Sequence, residues 1–91
     1  MILIILSIKT EQDFIDNFPF AYTVINAAKE LEKNTTIHWF FQSIRQKSEN
    51  SYIVKFKSFE FPGYPDTHRL QIEVELIDNQ WQIVQTNRHV D

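Results

Sequence analysis

From Leu70 to Ile83 the chain carries a strand, a two-residue turn and the start of a second strand. Leu70, Ile72, Val74 and Leu76 alternate with Gln71, Glu73 and Glu75. That is the period of a strand with one buried face. Asp78-Asn79 supplies two residues that tolerate positive φ, as a two-residue hairpin loop requires. The turn sets Leu76 opposite Trp81 and Val74 opposite Ile83, on one side of the sheet. A register and a core-facing side follow; a function does not.

Working backwards, Pro62-Gly63-Tyr64-Pro65-Asp66 is the strongest break in the chain. Before it, Tyr52, Val54 and Phe56 form the inward face of another strand, with Ile53, Lys55 and Lys57 outward and Phe59 and Phe61 on the outward parity. If Phe61 faces Thr67 across the loop, then Phe56 faces Ile72, Val54 faces Val74 and Tyr52 faces Leu76. The same register sets Lys55 opposite Glu73, so apolar meets apolar and opposite charges meet. Earlier still, Ile37, Trp39 and Phe41 alternate with Thr36, His38, Phe40 and Gln42. Ile44 then has the opposite parity, which predicts a bulge near Gln42-Ser43.

Between Glu11 and Lys33 the period is helical. Phe14, Phe18, Ala21, Ile25 and Ala28 recur at three- and four-residue steps, with Asp16, Thr23 and Glu30 opposite. Thr10-Glu11-Gln12-Asp13 resembles a capping box. Pro19 removes one helical hydrogen bond and clashes with the preceding turn, so a kink or two abutting helices is expected there. Ile2 to Ile8 is apolar on both faces and reads as a buried strand. It has no basic n-region, and it falls far short of the roughly 20 apolar residues a membrane span needs.

The expected architecture is therefore α+β: one kinked helix packed on a curved antiparallel sheet of four to five strands, in the order β-α-β-β-β-β. Ninety-one residues make one domain, 1–91, with one layer-on-layer core. A net charge of −3 with mixed signs gives no basic footprint, so nucleic acid is not an expected partner. Nor is a membrane. The chain has no Cys, hence no disulfide framework, thiolate metal site or Cys nucleophile. A cytoplasmic location is the expectation.

This order resembles the cystatin-like fold, in which a helix lies across a curved antiparallel sheet and which also hosts the nuclear transport factor 2-like proteins. The hairpin Val74-Glu75-Leu76-Ile77-Asp78-Asn79-Gln80-Trp81-Gln82-Ile83 is similar to the closing hairpin of that second group. Inhibitory cystatins carry a Gln-x-Val-x-Gly wedge after the helix; here Gln42 to Asn50 contains no Gly. A Pro-Trp wedge is also missing, since Asp-Asn-Gln precedes Trp81. The resemblance does not extend to protease inhibition by that mechanism. Transport-factor-like proteins also use extra helices to close a conical pocket, for which this chain has little material.

Candidate chemistry is sparse. His38, His68 and His89 are available, but no nucleophile elbow accompanies them. Asp66 and His68 share a face by alternation and would suit general-base work, although a strand-end His satisfying backbone groups is the commoner case. No metal-ligand spacing is present, and neither a catalytic residue nor a cofactor is assigned.

Two readings remain. In the first, the chain is a non-enzymatic protein-binding module, such as an inhibitor, an immunity-type protein or a homodimeric assembly factor. Its working surface is the open sheet face around His38, Phe40, Phe59, Phe61 and Val84, unless Phe59 and Phe61 tuck under the loop. Its partner is another protein or a second copy. In the second, implied by the transport-factor-like resemblance, a pocket between helix and sheet is lined by Tyr22, Trp39 and Tyr52 and serves a small-molecule binder or enzyme.

Overall fold

The computed structural model describes residues 8–33, 37–59 and 67–90, for Phe59, Thr67 and Val90 the backbone only. Thr10 opens the first helix, α1 (Glu11–Asn17), with a full capping box. The Asp13 amide donates to Thr10 Oγ1 at 3.1 Å, and the Asp13 carboxylate accepts from the Thr10 amide at 3.3 Å. These bonds satisfy donors that the first turn leaves without helical partners. The Lys9 amide and the Thr10 hydroxyl hold the Asp13 carboxyl below the ordinary aspartate range, because both stabilise its charged form.

Phe18 ends α1 in an extended conformation, φ −129° and ψ 128°. A residue before proline is driven there by the Pro ring. The interruption at Pro19 thus resolves as two helices, with α2 spanning Ala21–Glu30. Of the stripe the spacing predicts, Phe14, Ala21, Ile25 and Ala28 are buried and Phe18 is partly buried; Val24 is buried beside them.

Four antiparallel strands follow: β1 (Phe40–Ser48), β2 (Ser51–Phe59), β3 (Thr67–Ile77) and β4 (Gln80–Val90), in spatial order β1-β2-β3-β4. With two helices and this sheet, the described chain is a small α+β fold. The strand expected at Ile2–Ile8 lies outside the described residues, except Ile8, which is buried in the core.

The β3–β4 hairpin forms as the sequence predicts. Asp78 and Asn79 have φ of 52° and 65°, and Leu76 pairs with Trp81 and Val74 with Ile83. Further along, Glu73 pairs with Gln85, so Val84 is an extra residue in a bulge. The bulge inverts the parity of β4 beyond it and sets Thr86 and Arg88 opposite Ile72 and Leu70. The bulge expected near Gln42 is also present, between Phe41 and Ser43.

The β2–β3 register differs from expectation by two residues. Phe56 pairs with Leu70, Val54 with Ile72 and Tyr52 with Val74, and Phe59 rather than Phe61 meets Thr67. A two-residue slip leaves every side chain on its face, so alternation alone does not distinguish the two registers. Charge pairing misled the choice. Lys55 meets Gln71, while Glu73 is reached from β1 by Lys47, whose Nζ lies 3.0 and 3.2 Å from the two carboxylate oxygens.

The left-handed turn makes a testable demand. Asn79→Ala should cost roughly 1 kcal/mol in chemical denaturation, because alanine tolerates αL poorly, whereas Asn79→Gly should cost nothing.

Candidate functional site

The sheet has two unlike faces. Across the inner face run the rows Phe41–Phe56–Leu70–Arg88 and Ile44–Val54–Ile72–Thr86. Both helices contribute to the core on this side, and their contacts with the sheet are largely aromatic. Phe14 stacks on Phe41 with centroids 4.9 Å apart and 15° between planes. Phe20 lies 4.8 Å from Trp81 and 5.4 Å from Tyr52, and Phe18 meets Tyr52 edge-on at 5.4 Å.

The residues expected to line a pocket between the layers stand in different surroundings. Tyr52 is half-buried within the aromatic cluster. Trp39 is buried at the approach to β1, with the Arg88 guanidinium carbon 5.7 Å from its ring centroid. Tyr22 is 64% exposed on α2, well outside the core. Among the described residues, the rings of Phe14, Phe18, Phe20, Tyr52 and Trp81 pack against one another between the layers.

Trp39 is held by a residue that alternation does not single out. Glu32, just past α2, accepts the Trp39 amide at 2.7 Å through Oε2 and lies 3.4 Å from His38 Nδ1 through Oε1. One carboxylate thus ties the end of α2 to the entry of β1. His38 itself is exposed. Elsewhere on the inner face, Ser58 and His68 are directly paired and buried. Ser58 Oγ and Trp39 Nε1 have no hydrogen-bond partner among the described residues. Asp66, the proposed carboxylate beside His68, lies outside the described residues.

The outer face is polar. Its rows read Phe40–Lys57–Arg69–His89, then Ser43–Lys55–Gln71–Asn87, then Arg45–Ile53–Glu73–Gln85. No described helix or strand packs over it. Phe40 is 58% exposed on edge strand β1, and Val84 is 44% exposed at the bulge of edge strand β4. Two strands separate them, roughly 14 Å across the sheet at ordinary strand spacing. They are therefore separate apolar points, with cations and amides between. Phe59 continues β2 by its backbone, and Phe61 lies outside the described residues.

Beside Phe40 the sheet dips. A hollow of about 110 Å³ is lined by Gln42, Ser43, Lys55, Arg69 and Gln71, with Phe56 and Leu70 as its floor. The Gln42 bulge lies at its rim, where the extra residue disrupts the β1–β2 ladder locally. Among the described residues, no group of three or more His, Asp or Glu is placed to hold a metal ion. No described helix is long and apolar enough to cross a membrane.

Comparison with known proteins finds no matching family model, no similar curated protein and no similar solved structure.

The Glu32 link predicts a measurable loss. Glu32→Ala leaves the Trp39 amide without its carboxylate and should lower unfolding stability by about 1.5–3 kcal/mol in urea, the usual range for a hydrogen bond to a charged group. A loss below about half a kcal/mol would remove Glu32 from the set of structural contacts.

Proposed function

We propose that the chain is a small protein-binding module that works through the outer face of its sheet. The observation that supports this most is the contrast between the faces. One is packed with aromatic rings; the other lies open among the described residues and presents Phe40 at its edge. An exposed large aromatic rimmed by charge is a common anchor at protein interfaces, where rings supply most of the contact energy. Phe40, with His38 beside it and Lys57 across the strand, is the anchor of this reading. Val84 marks the far edge; the Phe59 side chain and Phe61 lie outside the described residues.

A second copy of the chain is the first partner to consider, because an exposed sheet face or edge can pair with itself about a two-fold axis. An inhibitor or immunity-type role fits the size and charge. The cystatin-like order of elements, with its transport-factor-like closing hairpin, is part of the same proposal and is compatible with the two helices and four-stranded sheet. The competing small-molecule reading draws no support from Tyr22, which is exposed, or from Tyr52, which packs within the aromatic cluster.

Light scattering at two concentrations should give a mass that rises with concentration for the parent chain and stays at one protomer for Phe40→Asp. If the chain is a monomer throughout, a native partner captured by the parent chain should be lost by Phe40→Asp. Unchanged mass together with unchanged capture would overturn the reading.

A further inference from the structure

We infer that Ser48 is a phosphorylation site for a protein kinase that selects basic residues ahead of its target, and that the added phosphate takes Lys47 away from Glu73. The inference stands apart from the protein-binding reading, although it places a charge switch on the same face.

The geometry comes from the second bulge of β1. In a regular strand, residues three apart point to opposite faces. Here Arg45 pairs with Ile53 and Gln46 with Tyr52, but Ser48 pairs with Ser51, so Lys47 is an extra residue. The bulge inverts the parity. Ser48 thereby joins the outer row Ser48–Ser51–Glu75–Gln82 and shares a face with Arg45, whose own row is Arg45–Ile53–Glu73–Gln85. Lys47 reaches the same face, since it bonds Glu73. A hydroxyl is thus presented with an arginine three residues ahead of it and a lysine directly before it. Kinases select substrates by charge patterns of this kind, and a carboxylate-lined pocket matches the arginine fork.

Access favours Ser48 over the other hydroxyls. Arg45, Lys47, Ser48 and the Glu49-Asn50 turn are all exposed. The Ser48 hydroxyl lies 2.7 Å from Ser51 Oγ, a neutral contact of modest worth. Ser51 and Ser58 are buried. Thr10, Thr23 and Thr86 are exposed, but none has an arginine three residues ahead, and Thr10 already caps α1.

In the transfer, the Ser48 oxygen bonds to the γ-phosphorus of ATP. The bond from that phosphorus to the bridging oxygen breaks, ADP leaves with the electron pair, and the hydroxyl proton passes to a base on the kinase. The product carries a charge of about −1.5 to −2 at neutral pH. Lys47 Nζ sits 3.0 and 3.2 Å from the two Glu73 oxygens, and its side chain is half exposed. A phosphate on the adjacent residue outcompetes that carboxylate, because it holds more charge and three acceptor oxygens. Glu75, in the same row as Ser48, repels the phosphate and adds to its pull towards Lys47.

The folded chain, incubated with ATP and a purified kinase that prefers arginine three residues ahead of serine, tests the site. Fragment mass spectrometry should find one phosphoryl group, on Ser48. Ser48→Ala should take none, and Arg45→Gln should lower the efficiency of labelling about tenfold, as expected for losing a charge-assisted contact to the kinase. Both side chains are exposed, so both variants should keep the parent's spectral dispersion. In nuclear magnetic resonance spectra, the Glu73 amide should move when the parent is phosphorylated and stay in place when Lys47→Ala is. No labelling of the folded chain, labelling that needs prior unfolding, or label on another hydroxyl would overturn the site. So would an Arg45→Gln variant labelled like the parent. A Glu73 signal that stays in place in the phosphorylated parent, or moves equally in Lys47→Ala, would overturn the transfer of Lys47.

Discussion

The contact between Phe20 and the Tyr52–Trp81 pair joins the two layers of this protein. Phe20 sits in the break between α1 and α2 and is almost completely buried. It touches Phe14 and Phe18 on its own segment and Tyr52 and Trp81 on β2 and β4. Pro19 is what makes this placement possible. An unbroken helix would carry residue 20 about 100° beyond residue 19 on the same cylinder, whereas the extended Phe18 lets the chain drop Phe20 into the core. Each aromatic pair adds about 0.5–1.5 kcal/mol beyond burial, and a domain this size has only about 5–15 kcal/mol in total. The cluster is thus a large share of what keeps helices and sheet together.

Filling one face settles what the other can do. A helix-on-sheet fold that keeps a hollow between its layers can bind a small molecule there. Among the described residues, rings pack between the layers around Phe20, and the open face is the opposite one. Two bulges sit on the edge strand β1, at Gln42 and Lys47, and each has a visible consequence on that face. The first lies at the rim of the hollow between Lys55 and Arg69. The second lets Lys47 reach across β2 to Glu73, beside Ile53. Bulges that re-aim side chains at sheet edges commonly mark working surfaces.

Much of this was legible in the sequence, for identifiable reasons. The β3–β4 hairpin was readable because alternation and turn chemistry both constrain it, and the Gln42 bulge because Ile44 breaks parity amid strong apolar markers. The bulge at Val84 left no such trace. Beyond Val84 the chain reads Gln-Thr-Asn-Arg-His, with no apolar alternation to reveal an inverted phase. The β2–β3 register was ambiguous by two residues because both options bury the same side chains. The Glu73 pairing was missed because its partner comes from a strand two positions away. Glu32 was invisible because its role depends on where the chain returns after α2. Tyr22, read as a pocket residue, is exposed on α2, and Phe20 and Ala21 turn inward at the helix break. The outer hollow required β1, β2 and β3 in register before its lining residues came together.

The aromatic inner face holds the fold, and the proposed binding role falls to the outer face, where Phe40 is exposed. The unfolding free energies of Phe20→Ala and Phe40→Ala separate the two roles. A loss of about 3–5 kcal/mol is expected for Phe20→Ala, as for other buried rings, and less than about half a kcal/mol for Phe40→Ala. Equal losses, or a larger one at Phe40, would contradict it.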